Sequence, residues 1–471
     1  MTATEPTGET GSRGDVAGFV PQLHARLGDV VLTDPTAMER FAHDEAEWAP
    51  YTLPSAVVRA RSTEDVRALV ELCIEHRVPI VPRGSGTGLS GGANALAGSV
   101  VLSLERMDRV LEINPQEKLA VVQPGVINDH LRAAVGEQGL WYPPDPASAP
   151  WSSIGGNVAT NAGGLCCVKY GVTRDYVREL EVVTGTGEVV RLGRRTAKGV
   201  GGYDLVSLLV GSEGTLGIVT EVTVRLRPAR PEERTVAGYF DSLVDAGEAV
   251  AAVLAAGVVP SALELVDRTC LEAVDAWKQM GLSTDADVVL LGRTDTPGAD
   301  GEAEAERIRA AFEGAGASFV AVSADAQESE ALFAARRLAY PALERLGPVL
   351  TEDVCVPIAA VPEMLGRIQA TAAAHDVRIA NIAHAGDGNL HPLLITEPGN
   401  EAERERAQEA FEAILADALA LGGTVTGEHG VGLLKRPGLG RELSAPVVAM
   451  QRAVKAALDP HGILNPGKAI V

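Results

Sequence analysis

Glycine is the residue that most restricts what this chain can become. There are 51 glycines in 471 residues, and many stand in runs. The first run is Arg83-Gly-Ser-Gly-Thr-Gly-Leu-Ser-Gly-Gly92. The second, Ser152-Ser-Ile-Gly-Gly-Asn-Val-Ala-Thr-Asn-Ala-Gly-Gly164, follows a proline-stiffened Tyr142-Pro-Pro-Asp-Pro-Ala-Ser148. The third is Gly211-Ser-Glu-Gly-Thr-Leu-Gly217. Glycine loses more backbone freedom on ordering than any other residue, so such runs disfavour regular structure. They offer bare N–H groups and positive φ, the makings of an anion nest. One run alone reads as a tight turn. Three in one half of a chain suit a long ligand such as a pyrophosphate dinucleotide.

Gly86-Thr-Gly88-Leu-Ser-Gly91 satisfies the G-x-G-x-x-G pattern, and Glu105 lies near the offset of a ribose-binding acid. A strand expected at Ser99 to Leu104 follows too closely, however, leaving no room for the crossover helix of a Rossmann unit. NAD is therefore not expected as the direct electron acceptor.

The remaining pattern is that of a globular chain of two or three domains, with 46% hydrophobic and 22% charged residues. A net charge of −22 argues against nucleic acid and against an anionic membrane surface. The first 18 residues are polar and read as a disordered lead rather than a signal peptide. The longest apolar run, Ala249 to Val259, is too short to span a bilayer. Cysteines 73, 166, 167, 270 and 355 form no CxxC pair, so neither a disulfide framework nor a thiolate zinc site is expected, and a reducing cytoplasm fits.

The order of elements indicates an α+β first half. Ser62-Thr-Glu-Asp65 starts a helix carrying Val66, Leu69, Val70, Cys73 and Ile74 on one face. Strands are expected at 77–82, 99–104, 119–122 and 216–226, with a hairpin over 180–192. Arg227-Pro-Ala-Arg-Pro231 marks the boundary to a second half of acid-rich helices at 301–313, 328–346 and 401–421, with a strand at 288–292.

Three histidines of the second half fall at 384, 391 and 429, in His384-Ala-Gly-Asp-Gly-Asn-Leu-His391 and Gly427-Glu-His-Gly430. Asp387-Gly388-Asn389 supplies a turn, so His384 and His391 can flank a hairpin and project to one side. With Glu428 they would make an open divalent-metal site. On spacing alone, hydrogen-bonded histidines packing a turn fit equally well. Arg336 and Arg337 are candidate partners for an anionic substrate, Arg337 reading more simply as a solvated helix charge. Asp353 is either a second support to the histidines or only a strand-end acid.

Pro82-Arg-Gly-Ser-Gly-Thr-Gly-Leu-Ser-Gly91, Pro143-Pro-Asp-Pro-Ala-Ser148, Ile154-Gly-Gly-Asn-Val-Ala-Thr-Asn-Ala-Gly-Gly164 and Val210-Gly-Ser-Glu-Gly-Thr-Leu-Gly-Ile-Val219 together resemble the FAD-binding domain of the vanillyl-alcohol oxidase superfamily. The resemblance runs from about residue 50 to 471 and is greatest to the FAD-linked 2-hydroxyacid dehydrogenases: D-lactate dehydrogenase, the FAD subunit of glycolate oxidase and D-2-hydroxyglutarate dehydrogenase. It implies an N-terminal lead and first helices (1–48), a two-part FAD-binding domain of the PCMH type (49–228), and a C-terminal α+β substrate and metal domain with an antiparallel sheet (229–471), its last stretch from Gly422 returning to the flavin.

By this resemblance FAD is held by Pro82, Arg83, Gly84, Ser85, Gly86, Thr87, Gly88, Leu89 and Ser90; by Pro144, Asp145 and Ser148; by Gly155, Gly156, Asn157, Thr160, Asn161, Gly163 and Gly164; by Glu213, Gly214, Gly217, Ile218 and Val219; and by Asn465. Some members bond FAD to a histidine of the first loop. Residues 82–92 contain none, so non-covalent FAD is expected. The family places a divalent metal on His384, His391 and Glu428, zinc ahead of manganese or iron, and makes His429 the general base. Arg336 aligns with its carboxylate-binding arginine.

Leu393, Tyr340 and Thr351 stand where the hydroxyglutarate branch has polar or cationic residues, and Thr351-Glu-Asp-Val-Cys-Val-Pro357 is similar to the lactate and glycolate enzymes. Both favour a small D-2-hydroxy acid, D-lactate or glycolate, over D-2-hydroxyglutarate. Alkyl-dihydroxyacetone-phosphate synthase shares the fold, but its signature has consecutive histidines where this chain reads Gly-Glu-His-Gly. A flavin-free metal-dependent hydrolase is the rival from another class. The resemblance also implies an electron acceptor (quinone, cytochrome, electron-transfer flavoprotein or iron–sulfur subunit), leaves room for a homodimer, and fits a cytoplasmic protein, soluble or peripheral to the inner face of the membrane.

Overall fold

The computed structural model describes residues 16–46, 48–282 and 285–471. The lead expected over the first 18 residues lies mostly outside them, and the described chain opens with a helix, Val16–Leu27.

The first half is built on two main sheets, with a further two-stranded pairing of Leu140–Trp141 and Arg227–Pro228. In the smaller, the strands run in the order Val31–Leu32, Ala56–Arg59, Val100–Ser103, Ile80–Arg83. Ala56–Arg59 and Ile80–Arg83 both lie parallel to Val100–Ser103. Parallel neighbours need a crossover, and the helix Thr63–His76 provides it. Ser62 caps that helix by accepting from the Asp65 N–H, and Arg77 ends it at φ 53°. That left-handed residue is why the strand expected from residue 77 begins only at Ile80.

The larger sheet is antiparallel, in the order Val110–Asn114, Leu119–Val122, Ile218–Arg225, Val177–Val183, Val189–Gly193. Val183 and Ile218 from this sheet enter the core under the first, so the two sheets pack as one body.

The second glycine run departs from expectation. Ile154–Thr160 is a short helix rather than a bare loop, capped by Ser153, which accepts from the Gly156 N–H at 3.3 Å. Gly155 is needed there because a Cβ would meet Pro124 Cβ at 2.5 Å and Pro124 O at 2.9 Å. Asn161 closes the turn at φ 55°.

The second half is built on an eight-stranded antiparallel sheet. Its path runs Phe319–Val322, Arg234–Phe240, Val288–Thr294, Ala262–Asp267, Arg378–His384, Asn389–Ile395, Val349–Thr351, and Val354–Cys355 also pairs with Asn389–Ile395. The helices Leu243–Ala255, Gly298–Gly314 and Val361–His375 cover one face, and Arg268–Lys278 and Ala326–Glu344 the other. Ala262–Asp267, Val288–Thr294 and Asn389–Ile395 are buried along their whole lengths. Covering both faces removes the usual inside-outside alternation of an antiparallel strand, which explains their continuous burial.

After the helix Ala445–Leu458 the chain re-enters the first half. Leu464 bridges to Ile80, and the buried Lys468 Nζ donates to the carbonyl of Asn94. Among the described residues no helix is long and apolar enough to cross a membrane, and all five cysteines are free.

Candidate functional site

One cavity lies between the halves, and both contribute to its wall. Residues 82–90 of the first glycine run form one side, with Gly86 at φ 81°. Gly84 packs so closely on Ser153 that a Cβ would stand 2.3 Å from its Oγ. Ser148, Gly155, Gly156, Asn157, Thr160 and Gly163 continue the wall through the short helix, and Glu213, Gly214, Gly217, Ile218 and Val219 complete it from the third run. Bare backbone faces a long cleft, as a phosphate-bearing ligand requires.

Five residues assigned to the ligand by resemblance stand behind this wall. Asp145 accepts from the Cys166 N–H and Sγ, and Pro144 O accepts from Asn128 Nδ2. Asn161 Oδ1 accepts from the Arg174 N–H. Gly164 passes so near Asp145 that a Cβ would lie 2.4 Å from its carbonyl oxygen. Asn465 donates to the carbonyls of Gly92 and Glu213, tying the first and third runs together. Arg83, although on the wall, turns its guanidinium to the carbonyls of His43 and Arg40, at 2.6 and 3.1 Å.

At the other end of the cavity the sheet delivers the chemistry. His384 ends one strand and His391 lies three residues into the next, across a tight turn in which Gly388 has φ 79°. In this hairpin His391 pairs with Ile382 and His384 with Asn389. The two imidazoles stand on one side, ring centroids 5.1 Å apart. Glu428 Oε1 reaches both, 3.2 Å from His384 Nε2 and 3.4 Å from His391 Nε2. His429 stacks on His391 with centroids 4.9 Å apart and planes at 16°. Arg336, 4% exposed, lines the same cavity, as do Arg337, Tyr340, Thr351, Ile382 and Leu393. Arg337 is ion-paired with Glu330 on the exposed side of its helix.

Three supporting residues escaped the sequence reading, or were only half seen in it. Glu264 is fully buried and accepts from His384 Nδ1 at 2.9 Å and from Arg336 Nε at 2.8 Å. Asp353 accepts from the backbone N–H groups of Gly427, Glu428 and His429. Lys435, 1% exposed, lies 3.4 Å from Glu352 and 3.3 Å from Asp353. The signal for Glu264 was a lone acid in an apolar strand, which needs a partner when buried.

Charge is tightly arranged. Burial works against a charged His384, yet the Glu264 and Glu428 carboxylates on either side hold its protonation well above the usual range. Burial would likewise raise Glu428, but His384 and His391 keep it well below a normal carboxylate. Burial lowers His429 to about 4, so its imidazole is neutral at pH 7 and able to accept a proton.

A divalent cation fits this donor set. With Nδ1–H donating a hydrogen bond to Glu264, a neutral His384 turns its Nε2 lone pair towards a carboxylate oxygen. Two bare acceptors at 3.2 Å repel unless a proton or a cation lies between them. His384 Nε2, His391 Nε2 and Glu428 Oε1 are the atoms that would hold it.

Sequence comparison places two family matches on the chain: "FAD binding domain" over residues 54–193 and "FAD linked oxidases, C-terminal domain" over residues 230–469. The chain is 44% identical to glycolate oxidase subunit GlcD of Bacillus subtilis (strain 168) over 418 residues, covering 88% of this chain and 89% of that protein. It is 36% identical over 451 residues to D-lactate dehydrogenase of Anaerostipes hadrus, covering 93% and 94%. In three dimensions it superposes on 4-ethylphenol oxidase from Gulosibacter chungangensis with a TM-score of 0.81 at 22% identity, covering 99% of each chain, a likeness of fold.

Proposed function

The chain belongs to the FAD-linked oxidases, and from that premise we propose that it oxidises a small D-2-hydroxy acid, D-lactate or glycolate, to the 2-oxo acid. The observation that carries this reading is the convergence on one cavity of a buried arginine, a histidine stacked on the site and a two-histidine, one-carboxylate donor set. Relatives at 44% and 36% identity are named for glycolate and D-lactate, which agrees with it.

Each group has a task in this chemistry. Arg336, which lines the cavity and is fixed by Glu264 through its Nε, binds the substrate carboxylate. His429 takes the hydroxyl proton at Nε2, since the alcohol is too weak an acid to ionise unaided. His384, His391 and Glu428 would hold a zinc, manganese or iron ion. When bound, the cation polarises the substrate oxygens and the FAD accepts the two electrons leaving the carbon as hydride. The glycine walls hold the FAD without a covalent bond, and residues 82–92 offer no histidine for one.

The cavity also sets the substrate's size. Ile382 and Leu393, both buried, present apolar surface beside the arginine, suiting hydrogen or methyl as the side group. An acceptor such as a quinone, a cytochrome, an electron-transfer flavoprotein or an iron–sulfur subunit would reoxidise the flavin. The test is His429→Ala: the variant should retain bound FAD and lose its reduction by substrate, and wild-type reduction rates would refute the base assignment. A protein purified without flavin, yet active in hydrolysis, would favour the metal-hydrolase reading.

A further inference from the structure

A single carboxylate stands behind two of the site's imidazoles. Asp353 is fully buried at the break between strands Val349–Thr351 and Val354–Cys355. Its Oδ2 accepts from Thr426 Oγ1 at 2.7 Å and from the N–H groups of Gly427, Glu428 and His429 at 3.1, 3.2 and 2.9 Å. Lys435 Nζ adds a fifth donor at 3.3 Å. Oδ1 has no hydrogen-bond partner among the described residues, and the same holds for Nδ1 of His391 and Nδ1 of His429. His391 Nδ1 is 3.7 Å from Oδ1, and His429 Nδ1 is 3.9 Å from Oδ2. On their far sides both rings present Nε2 to Glu428 Oε1, at 3.4 and 3.7 Å.

We propose that Asp353 is a positioning residue that sets the tautomers of His391 and His429 together, placing a proton on Nδ1 of each and turning both Nε2 lone pairs to the cavity. The inference rests on the reading of His391 as ligand and His429 as base. Separations of 3.7 and 3.9 Å are long for hydrogen bonds. Inside a protein a carboxylate at that range favours the tautomer whose N–H points at it, and with a cation offsetting Glu428 on the Nε2 side Asp353 is the carboxylate that decides. A carboxylate behind a ligating histidine is a recurrent device for fixing the ring and strengthening the donor. Here one acid serves a ligand and a base at once, and its other oxygen fixes the loop that carries Glu428 and His429. A cation bound by Asp353 and the two Nδ1 atoms is the competing arrangement, and the Lys435 ammonium at 3.3 Å opposes it.

Asp353→Asn separates orientation from loop capping. The amide oxygen, in the place of Oδ2, still accepts from the loop N–H groups and still faces His429 Nδ1, while the amide nitrogen, in the place of Oδ1, donates towards His391 Nδ1 and reverses that ring's preference. Nitrogen NMR of isotope-labelled histidines in the FAD- and zinc-loaded protein should show Nδ1–H on both residues in the wild type and Nε2–H on His391 in the variant. The variant should lose about 10–100-fold in kcat with little change in KM. In titrations with zinc alone it should bind about 10–100-fold more weakly. Nε2–H on either histidine in the wild type would overturn the proposal even if the variant failed to fold. Two zinc ions per chain, one lost on substitution, would also overturn it. If His429→Ala is inactive while Asp353→Asn matches wild type, this proposal alone fails. If His429→Ala is active, the base assignment fails with it.

Discussion

Glu264 meets His384 Nδ1 with both carboxylate oxygens, at 2.9 and 3.0 Å, in a setting closed to solvent. The same carboxylate accepts from Arg336, so the orientation of a proposed ligand and that of the proposed substrate-binding cation depend on one side chain. Glu264→Gln removes the negative charge and one of the acceptor oxygens, and so weakens its hold on both groups. It should lower kcat/KM and weaken zinc binding by about 10–100-fold while FAD content stays at the wild-type level. Steady-state kinetics and a zinc titration check this together.

Two glycines should respond differently to one added methyl group. At Gly163 a Cβ would lie 2.4 Å from Glu428 Oε2, the movable end of a side chain. Gly163→Ala should therefore fold and lose activity as Glu428 is displaced. At Gly155 the Cβ would meet the Pro124 ring and its backbone oxygen, which cannot yield cheaply. Gly155→Ala should lower the melting temperature and the retained FAD, both measurable on the purified protein.

Glu213 predicts a pH-dependent stability. Burial raises its carboxyl from 4.5 to about 7, against the opposing N–H groups of Val431 and Gly432. Between those values the folded protein keeps a proton that the unfolded chain has released, so stability falls as pH rises through the window. The contribution is about 3 kcal/mol. Glu213→Gln should remove it: denaturant melts should show wild type losing stability relative to the variant from pH 4.5 to about 7 and no further difference above that.

Much of this arrangement is legible along the chain, and the rest is not for a definite reason. The turn at Asp387-Gly388-Asn389 forces His384 and His391 together within a few residues, so local sequence suffices. The same is true of Ser62, which caps its helix as its motif requires. Glu264 and His384 lie 120 positions apart, and Asp353 lies 76 from His429. Such pairings arise from the order of strands in the sheet and from the path of the loop that returns to it, which no local pattern encodes. The second glycine run became partly helical because Pro124, distant in sequence, leaves room for a helix start only where Gly155 has no side chain.

Substrate selectivity follows from the apolar wall. A second carboxylate placed against Ile382 and Leu393 would be buried without a partner, at a cost of several kcal/mol. D-2-hydroxyglutarate should therefore be used at least about 100-fold less efficiently than D-lactate or glycolate. Comparable kcat/KM values for the three acids would mean that a cation reaches the side group, with Arg337 the first residue to test.

The most direct measurement is rapid anaerobic mixing of the oxidised, FAD-loaded protein with D-lactate or glycolate while the flavin absorbance is followed. The proposed oxidation requires that the flavin bleach in a single turnover with at least one of these acids, and that His429→Ala keep its FAD without bleaching. Flavin that stays oxidised with every 2-hydroxy acid tried would contradict it.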